Sequence, residues 1–228
     1  MAPPDVLVEL VERFGRNIDA YKSGQYNETQ VRREFIDPLF IALGWDVNNK
    51  EGYAEAYKDV VHEDSIKVGG FTKAPDYCFR VGGTRKFFLE AKKPSVDIEH
   101  DIHPAFQLRR YAWSAKLPLS LLTDFEELAV YDCRKKPNKS DRASKDRVRY
   151  FTFEQYVEKW EEIQGIFGRD AVYKGKFDTF VEKDLGKRQL EEVDAAFLRE
   201  IETWRDALAK NIAVRNAGLT VRELNFAV

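Results

Sequence analysis

Asp76, Glu90 and Lys92 are the residues of this 228-residue chain whose types and spacing could do chemistry together. They stand in the stretch Ala74–Pro94, APDYCFRVGGTRKFFLEAKKP. Two carboxylates brought side by side make a hard-oxygen site that suits Mg²⁺, an ion that keeps several waters and is often held by one or two carboxylates plus a substrate phosphate. An amine alongside could hold that phosphate or the attacking water. Whether the three groups meet depends on the elements that carry them.

Tyr77, Phe79 and Val81 alternate with Asp76, Cys78 and Arg80, and Phe87, Leu89 and Ala91 alternate with Phe88, Glu90 and Lys92. This is the period of two half-buried strands, each with an apolar face and a charged one. Gly82 and Gly83 supply the turn, since glycine takes positive φ without steric cost. A two-residue loop would set Val81 opposite Thr84 and Asp76 opposite Leu89, mixing polar with apolar. A three-residue loop, Gly82–Thr84, pairs Val81 with Arg85, Phe79 with Phe87, Tyr77 with Leu89 and Asp76 with Glu90. Because a one-residue slip turns every side chain to the other face, the three-residue loop is expected. It puts Asp76 across from Glu90, with Lys92 farther along the same face. Like charges directly opposite destabilise a hairpin, and a bound divalent cation would relieve them. The alternative is a surface hairpin whose Glu90 and Lys92 are ordinary solvated charges.

Pro75-Asp76 followed by Glu90-Ala91-Lys92 resembles the PD-(D/E)xK signature of the restriction-endonuclease-like nucleases. Two further stretches extend the likeness. RREFIDPLFIALGW, from Arg32 to Trp45, resembles the first helix of the nuclease domain of type I restriction subunits and single-chain restriction-modification enzymes. QLRRY, from Gln107 to Tyr111, resembles the QxxxY motif of the RecB-like branch. The resemblance implies Mg²⁺-dependent hydrolysis of DNA, with Mn²⁺ able to substitute. It implies a catalytic set of Asp76, Glu90, Lys92, Gln107 and Tyr111, the last two positioning the lysine and the DNA backbone. It implies metal ligation by Asp76, Glu90 and the Ala91 backbone carbonyl, with Glu34 reaching in from its helix. For Glu34 the alternative is a solvated charge beside Arg32 and Arg33. His103 shares a helix stripe with Gln107 and Tyr111 and reads as a surface histidine.

Lysine and arginine number 37 against 39 acids, a net charge of −2, so there is no global basic footprint for nucleic acid. Attraction to DNA must be local. Between Arg134 and Arg149 eight basic residues face only Asp141 and Asp146. Arg134, Lys135, Lys136 and Lys139 are expected to track phosphates there, joined by Arg109 and Arg110 of QLRRY; a merely solvated loop is the alternative. Lys50, Lys67 and Lys73 could meet phosphates or could simply solubilise. Cys78 and Cys133 form no CxxC, so neither a disulfide framework nor a zinc site is indicated, and a reducing cytoplasm fits. The start, MAPPDVLVELVERF, lacks the features of a secretory signal, and no apolar run approaches a membrane span of about 20 residues.

Helical spacing predicts a helix over Asp5–Lys22, with Val6, Leu10, Val11, Phe14 and Ile18 inward. A second helix opens at an Asn27/Gln30 capping box and should kink from Glu34, whose carbonyl gets no N–H from Pro38; a break at Asp37 is the alternative. Short β-like pieces fall in Trp45–Asn48 and Asp59–Val68, one of them to flank the hairpin. A helix over Ile98–Lys116 and strands over Leu117–Leu122 and Glu127–Cys133 follow, the first strand apolar enough to be central. From Phe153 the pattern is helical, ending in Gln189–Arg215 with a buried stripe from Leu190 to Ile212. Thr220–Glu223 is a further capping box whose helix stops at Val228, so the natural chain is expected to continue.

The expected fold class is α/β: a restriction-endonuclease-like core, residues 1–152, with a mixed central sheet flanked by helices, and a helical extension, residues 153–228, connecting to a methyltransferase. The expected function is the DNA-cleaving domain of a cytoplasmic restriction-modification enzyme. Its partners would be double-stranded DNA and the methyltransferase and target-recognition domains of the same natural chain, with no membrane. No P-loop or NPPY-type motif is present in these residues. Alternatives are a catalytically idle DNA-binding or docking module and a RecB-like repair exonuclease that requires ends.

Overall fold

The computed structural model describes residues 2–186 and, beyond them, Ile201, Trp204, Arg205, Leu208 and Ile212. Two helices open the chain, α1 (Asp5–Arg16) and α2 (Ile18–Lys22). The single helix expected there breaks at Asn17, whose N–H bonds the Phe14 carbonyl. α3 (Glu28–Val31) begins with the expected capping box between Asn27 and Gln30. A π-helical turn, Arg32–Ile36, leads into α4 (Asp37–Ala42), with Pro38 in its first turn. This is the form the expected kink takes. Pro38 offers the Glu34 carbonyl no N–H, the helix absorbs an extra residue, and the Arg13 guanidinium donates to the orphaned carbonyl instead.

The central sheet has the order β1 (Val60–His62), β4 (Tyr77–Val81), β5 (Thr84–Ala91), β6 (Leu119–Thr123), β7 (Glu127–Asp132) and β8 (Arg147–Thr152). A separate hairpin is made by β2 (Ile66–Val68) and β3 (Phe71–Lys73). β5 and β6 are parallel, joined by the crossover helix α5 (Ile102–Ser114), and the other neighbours are antiparallel. β6 is central and buried along its whole length. β1, from the Asp59–Val68 stretch, flanks the hairpin, whereas Trp45–Asn48 forms no strand. β8 was hidden from periodicity by its arginines, which read as part of a basic loop. The class is as expected, a mixed sheet between helices in the restriction-endonuclease-like manner.

On one side Phe79, Phe87 and Leu89 join a core with residues of α1, α4, α6 (Trp160–Phe167), α7 (Arg169–Tyr173) and α8 (Lys176–Asp184). Phe79 stacks on Phe87 at 4.5 Å between ring centroids, and Phe87 meets Phe167 and Phe177, each at 5.6 Å. On the other side Cys78, Phe88 and Leu122 share a second core with Leu108 and Ala112 of α5. The hairpin face expected to be a charged surface is therefore covered as well. Trp160, Phe167 and Phe177 belong to the first core, and the compact unit that holds the sheet runs to Leu185. The helix expected over Gln189–Arg215 lies outside the described residues save for five helical positions, of which Trp204 and Leu208 are exposed rather than buried. The Thr220–Glu223 capping box also lies outside them.

The hairpin closes by a different route from the one expected. Val81 pairs with Thr84 around a two-residue turn, Gly82 at φ +55° and Gly83 at φ +81°, the positive-φ pair of a type I′ turn. Yet Phe79 still faces Phe87, and Tyr77 still faces Leu89. A bulge reconciles the two: Arg80 faces Arg85, leaving Lys86 as the extra residue on β5. Lys86 is aimed at Asp178 of α8, with contacts of 2.9 and 3.1 Å. A Cβ on Gly83 would stand 2.8 Å from the Ala56 carbonyl oxygen, whereas one on Gly82 would meet nothing within 4 Å. Gly83→Ala is therefore expected to lower stability by about 1–2 kcal/mol in urea unfolding. Gly82→Asn should be close to neutral, and equal losses at both positions would refute this account of the turn.

Candidate active site

Asp76 lies one residue before β4, and Glu90 lies one residue beyond the Tyr77–Leu89 pair, so strand parity turns both toward α5. Asp76 Oδ2 accepts from the Ala91 N–H at 2.8 Å, and Oδ1 accepts from Arg32 at 3.2 Å. Glu90 is 4% exposed. Its Oε1 accepts from Lys92 Nζ at 2.9 Å and from the Gln107 side-chain amide, while its buried Oε2 has no hydrogen-bond partner among the described residues. Tyr111, one helical turn past Gln107, neighbours both Gln107 and Glu90. Asp76, Glu90, Lys92, Gln107 and Tyr111 are thus drawn together at one end of the sheet.

Burial pushes the Glu90 carboxyl up to about 7, with Asp76 adding to the rise and Lys92 opposing it. Burial works against the charge of Lys92, but Glu90, Glu28 and Asp76 outweigh it and hold the ammonium above its ordinary range. Lys92 is accordingly a cation and a donor, not a proton acceptor. Two cations flank the acids, Arg32 on Asp76 and Lys92 on Glu90, so part of the like-charge repulsion read from the sequence is already offset. Arg32 comes from the π-helical turn. Its guanidinium lies over the Tyr77 ring at 4.8 Å, and Nη2 is 3.3 Å from His62 Nδ1. His62 Nε2 faces the Val47 carbonyl at 3.1 Å, which makes Nε2 the protonated nitrogen and Nδ1 the acceptor.

Two residues of this cluster had no assigned role in the sequence reading, Arg32 and Glu28. Glu28 Oε1 is 3.9 Å from Lys92 Nζ. Glu34, the acid expected here, instead faces Tyr26, and Arg13 holds its carbonyl. The capping box did mark Glu28 as the first residue of α3, but an acid there is ordinarily just a partner of the helix dipole.

The expected DNA contacts separate. Arg109 is 1% exposed and clamped between Asp141 and Asp146, so its burial overturns the expectation that it meets phosphate. Arg134 is engaged by Asp132 at 2.7 and 2.9 Å and by the Leu185 carbonyl at 3.1 Å. Lys135 is half-buried, Lys139 is exposed, and Lys136 lies 5.4 Å over Trp113. Their loop leaves β7 at Asp132, which faces Leu119, whereas Glu90 faces Leu122, about 10 Å along the strand toward its other end. Arg147 and Arg149 sit on β8, bonded to the Glu99 carbonyl and to Glu162. Arg110 is half-buried, and His103 is exposed. Among the described residues no three His, Cys, Asp or Glu side chains form a ready metal cluster, both cysteines are free and buried, and no helix is long and apolar enough to cross a membrane.

Residues 58–139, a span that holds Asp76, Glu90, Lys92, Gln107 and Tyr111, match the family described as "Type I restriction enzyme R protein N terminus". The chain is also 41% identical over 227 residues to the "Type II restriction enzyme and methyltransferase RM.Eco57I" of Escherichia coli. That match takes in 99% of this chain and 23% of the relative, so the chain spans about a quarter of the relative's length. No solved structure matches. Family match and relative agree in likening the chain to the amino-terminal region of restriction enzymes, and the mixed α/β fold is consistent with that likeness.

Proposed function

We propose that the chain is a Mg²⁺-dependent DNA endonuclease, the cleavage domain of a cytoplasmic restriction-modification enzyme that also carries methyltransferase and target-recognition domains. Glu90 carries the reading: a carboxylate 4% exposed, beside Asp76, with a buried Oε2 left open. An open buried acceptor is costly, and a buried like-charge pair more so. Two carboxylates are also the donor set that Mg²⁺ accepts while keeping waters for itself and for substrate. Asp76, Glu90 and the Ala91 carbonyl would hold the ion, in the PD-(D/E)xK manner, and Mn²⁺ would substitute. When bound, the ion polarises the phosphate and lowers the pKa of a bound water.

The chain's own side chains do the rest. Lys92 orients the water and offsets charge growing on the phosphoryl oxygens. Gln107 holds Glu90 in place, and Tyr111 supports Gln107. Arg32 fixes the Asp76 carboxylate, and Glu28 steadies Lys92 from α3. Supercoiled plasmid incubated with the protein and Mg²⁺ is expected to be nicked and linearised, and EDTA should abolish this. Cleavage confined to free ends would instead favour an exonuclease. DNA binding without cleavage in either Mg²⁺ or Mn²⁺ would favour a docking module.

A further inference from the structure

The β2–β3 hairpin hydrogen-bonds to no strand of the main sheet. A two-stranded hairpin alone is marginal in water, and this one is anchored from one side. Ile66 and Val68, 6% and 1% exposed, share the second core with Leu108 and Tyr111 of α5. Lys67, between them, is exposed and donates to Thr72 Oγ1 at 2.7 Å. All three residues of β3 are exposed, and Phe71, at 70%, is the most exposed large hydrophobic side chain of the described residues. A phenylalanine held in water gains the fold nothing. Its ring is open to a partner outside the domain.

The position of the hairpin says where. β3 leads through Ala74 and Pro75 directly into Asp76. At the tip, Gly69 and Gly70 take φ +58° and +85°, and a Cβ on Gly69 would stand 3.7 Å from Arg110 Nη2. Arg110 follows Gln107 on α5 by three residues, and Gln107 holds Glu90. The finger is thus joined to the carboxylate site both along the chain and across α5.

We propose that residues 66–73 form a finger that grips duplex DNA beside the scissile phosphate, with Phe71 on the bases and Lys67, Lys73 and Arg110 on phosphates; this rests on the nuclease reading above. Charge selects the occupant. Lys67 and Lys73 are exposed on the finger, and Arg110 stands at its tip. Of the acids just before it, Asp64 is taken by Arg80 and Arg85, each at 2.7 Å, leaving Glu63. Duplex DNA supplies phosphates for the cations and base edges, including thymine methyls, for the ring. A two-stranded ribbon fits the major groove, about 12 Å wide, and a tip of bare glycines lets backbone approach closely.

Phe71→Ala and the double variant Lys67→Gln/Lys73→Gln test the proposal by duplex binding across a range of NaCl, with Ca²⁺ in place of Mg²⁺. Phe71→Ala is expected to weaken binding roughly 10-fold at every salt concentration without changing the salt slope. The double lysine variant should flatten the slope of log K against log salt by about 2. Thermal melting should be unchanged for both, since the residues are exposed. If the wild-type chain binds and cleaves DNA and the variants bind as it does, the finger is wrong and the nuclease reading stands. If the variants weaken binding but no protein cleaves, the finger stands and the nuclease reading falls. A wild-type chain that binds no DNA overturns both.

Discussion

Lys92→Met is expected to slow single-turnover DNA cleavage by roughly 10²- to 10³-fold, the usual cost of removing one preorganised donor from a developing anion. Methionine keeps most of the buried stem and removes the charge. The cation matters twice in this site. It bonds Glu90 Oε1 at 2.9 Å, and the acids around it keep it protonated, so in the proposed reaction it would act as a donor. Without it the Glu90 carboxyl should rise still further, and the Mg²⁺ concentration giving half-maximal rate should rise with it. Duplex affinity measured in Ca²⁺ should change by less than about threefold, because positioning on DNA rests on many phosphate contacts rather than one. A cleavage rate within tenfold of wild type would reduce Lys92 to a structural counter-ion of Glu90.

Glu90→Gln should have the opposite sign on stability. The Glu90 carboxyl titrates at about 7 when folded against an ordinary value of 4.5, so the folded state holds its proton more tightly than the unfolded one. Wild-type stability therefore falls as pH rises from 4.5 through 7 and levels off above that. The variant escapes the loss. At pH 8 without metal it should be more stable by about 2–3 kcal/mol, and the advantage should vanish below pH 4.5. The groups facing Glu90 are Asp76, Lys92, Glu28, Gln107 and Tyr111, and Asp76 is the first of them to add to the rise. Saturating Mg²⁺ should reverse the order, since the ion favours the wild-type carboxylate. Urea midpoints at pH 5 and 8, with and without Mg²⁺, decide the matter, and a difference independent of pH would sink the account. Asp76→Asn should gain far less, because it would strip Arg32 of its carboxylate partner.

Much of the site could be read from the chain because strand parity is a strict rule. Tyr77, Phe79, Phe87 and Leu89 allow only registers that keep apolar facing apolar, and those registers turn Asp76 and Glu90 to one side. What parity does not encode is how the turn accommodates it, and the bulge at Lys86 was invisible for that reason. Gln107 was singled out by the QxxxY resemblance, since periodicity alone put it on one stripe with His103, which is exposed. Charge was the poorest guide. Arg109, Arg134, Arg147 and Arg149 read as a phosphate track, yet each is held by partners within the fold that a sequence does not reveal. Glu28 rather than Glu34 comes near Lys92, because Pro38, four residues after Glu34, re-spaces the turn that carries Glu34, which faces Tyr26 instead.

The extra residue in β5 has a mechanical side. Lys86 reaches Asp178, so helix α8, close to the end of the compact unit at Leu185, is pinned to the same strand that bears Glu90 four residues later. A strand is stiff along its length. Moving α8 away from the sheet would cost that ion pair at the strand that also bears Glu90.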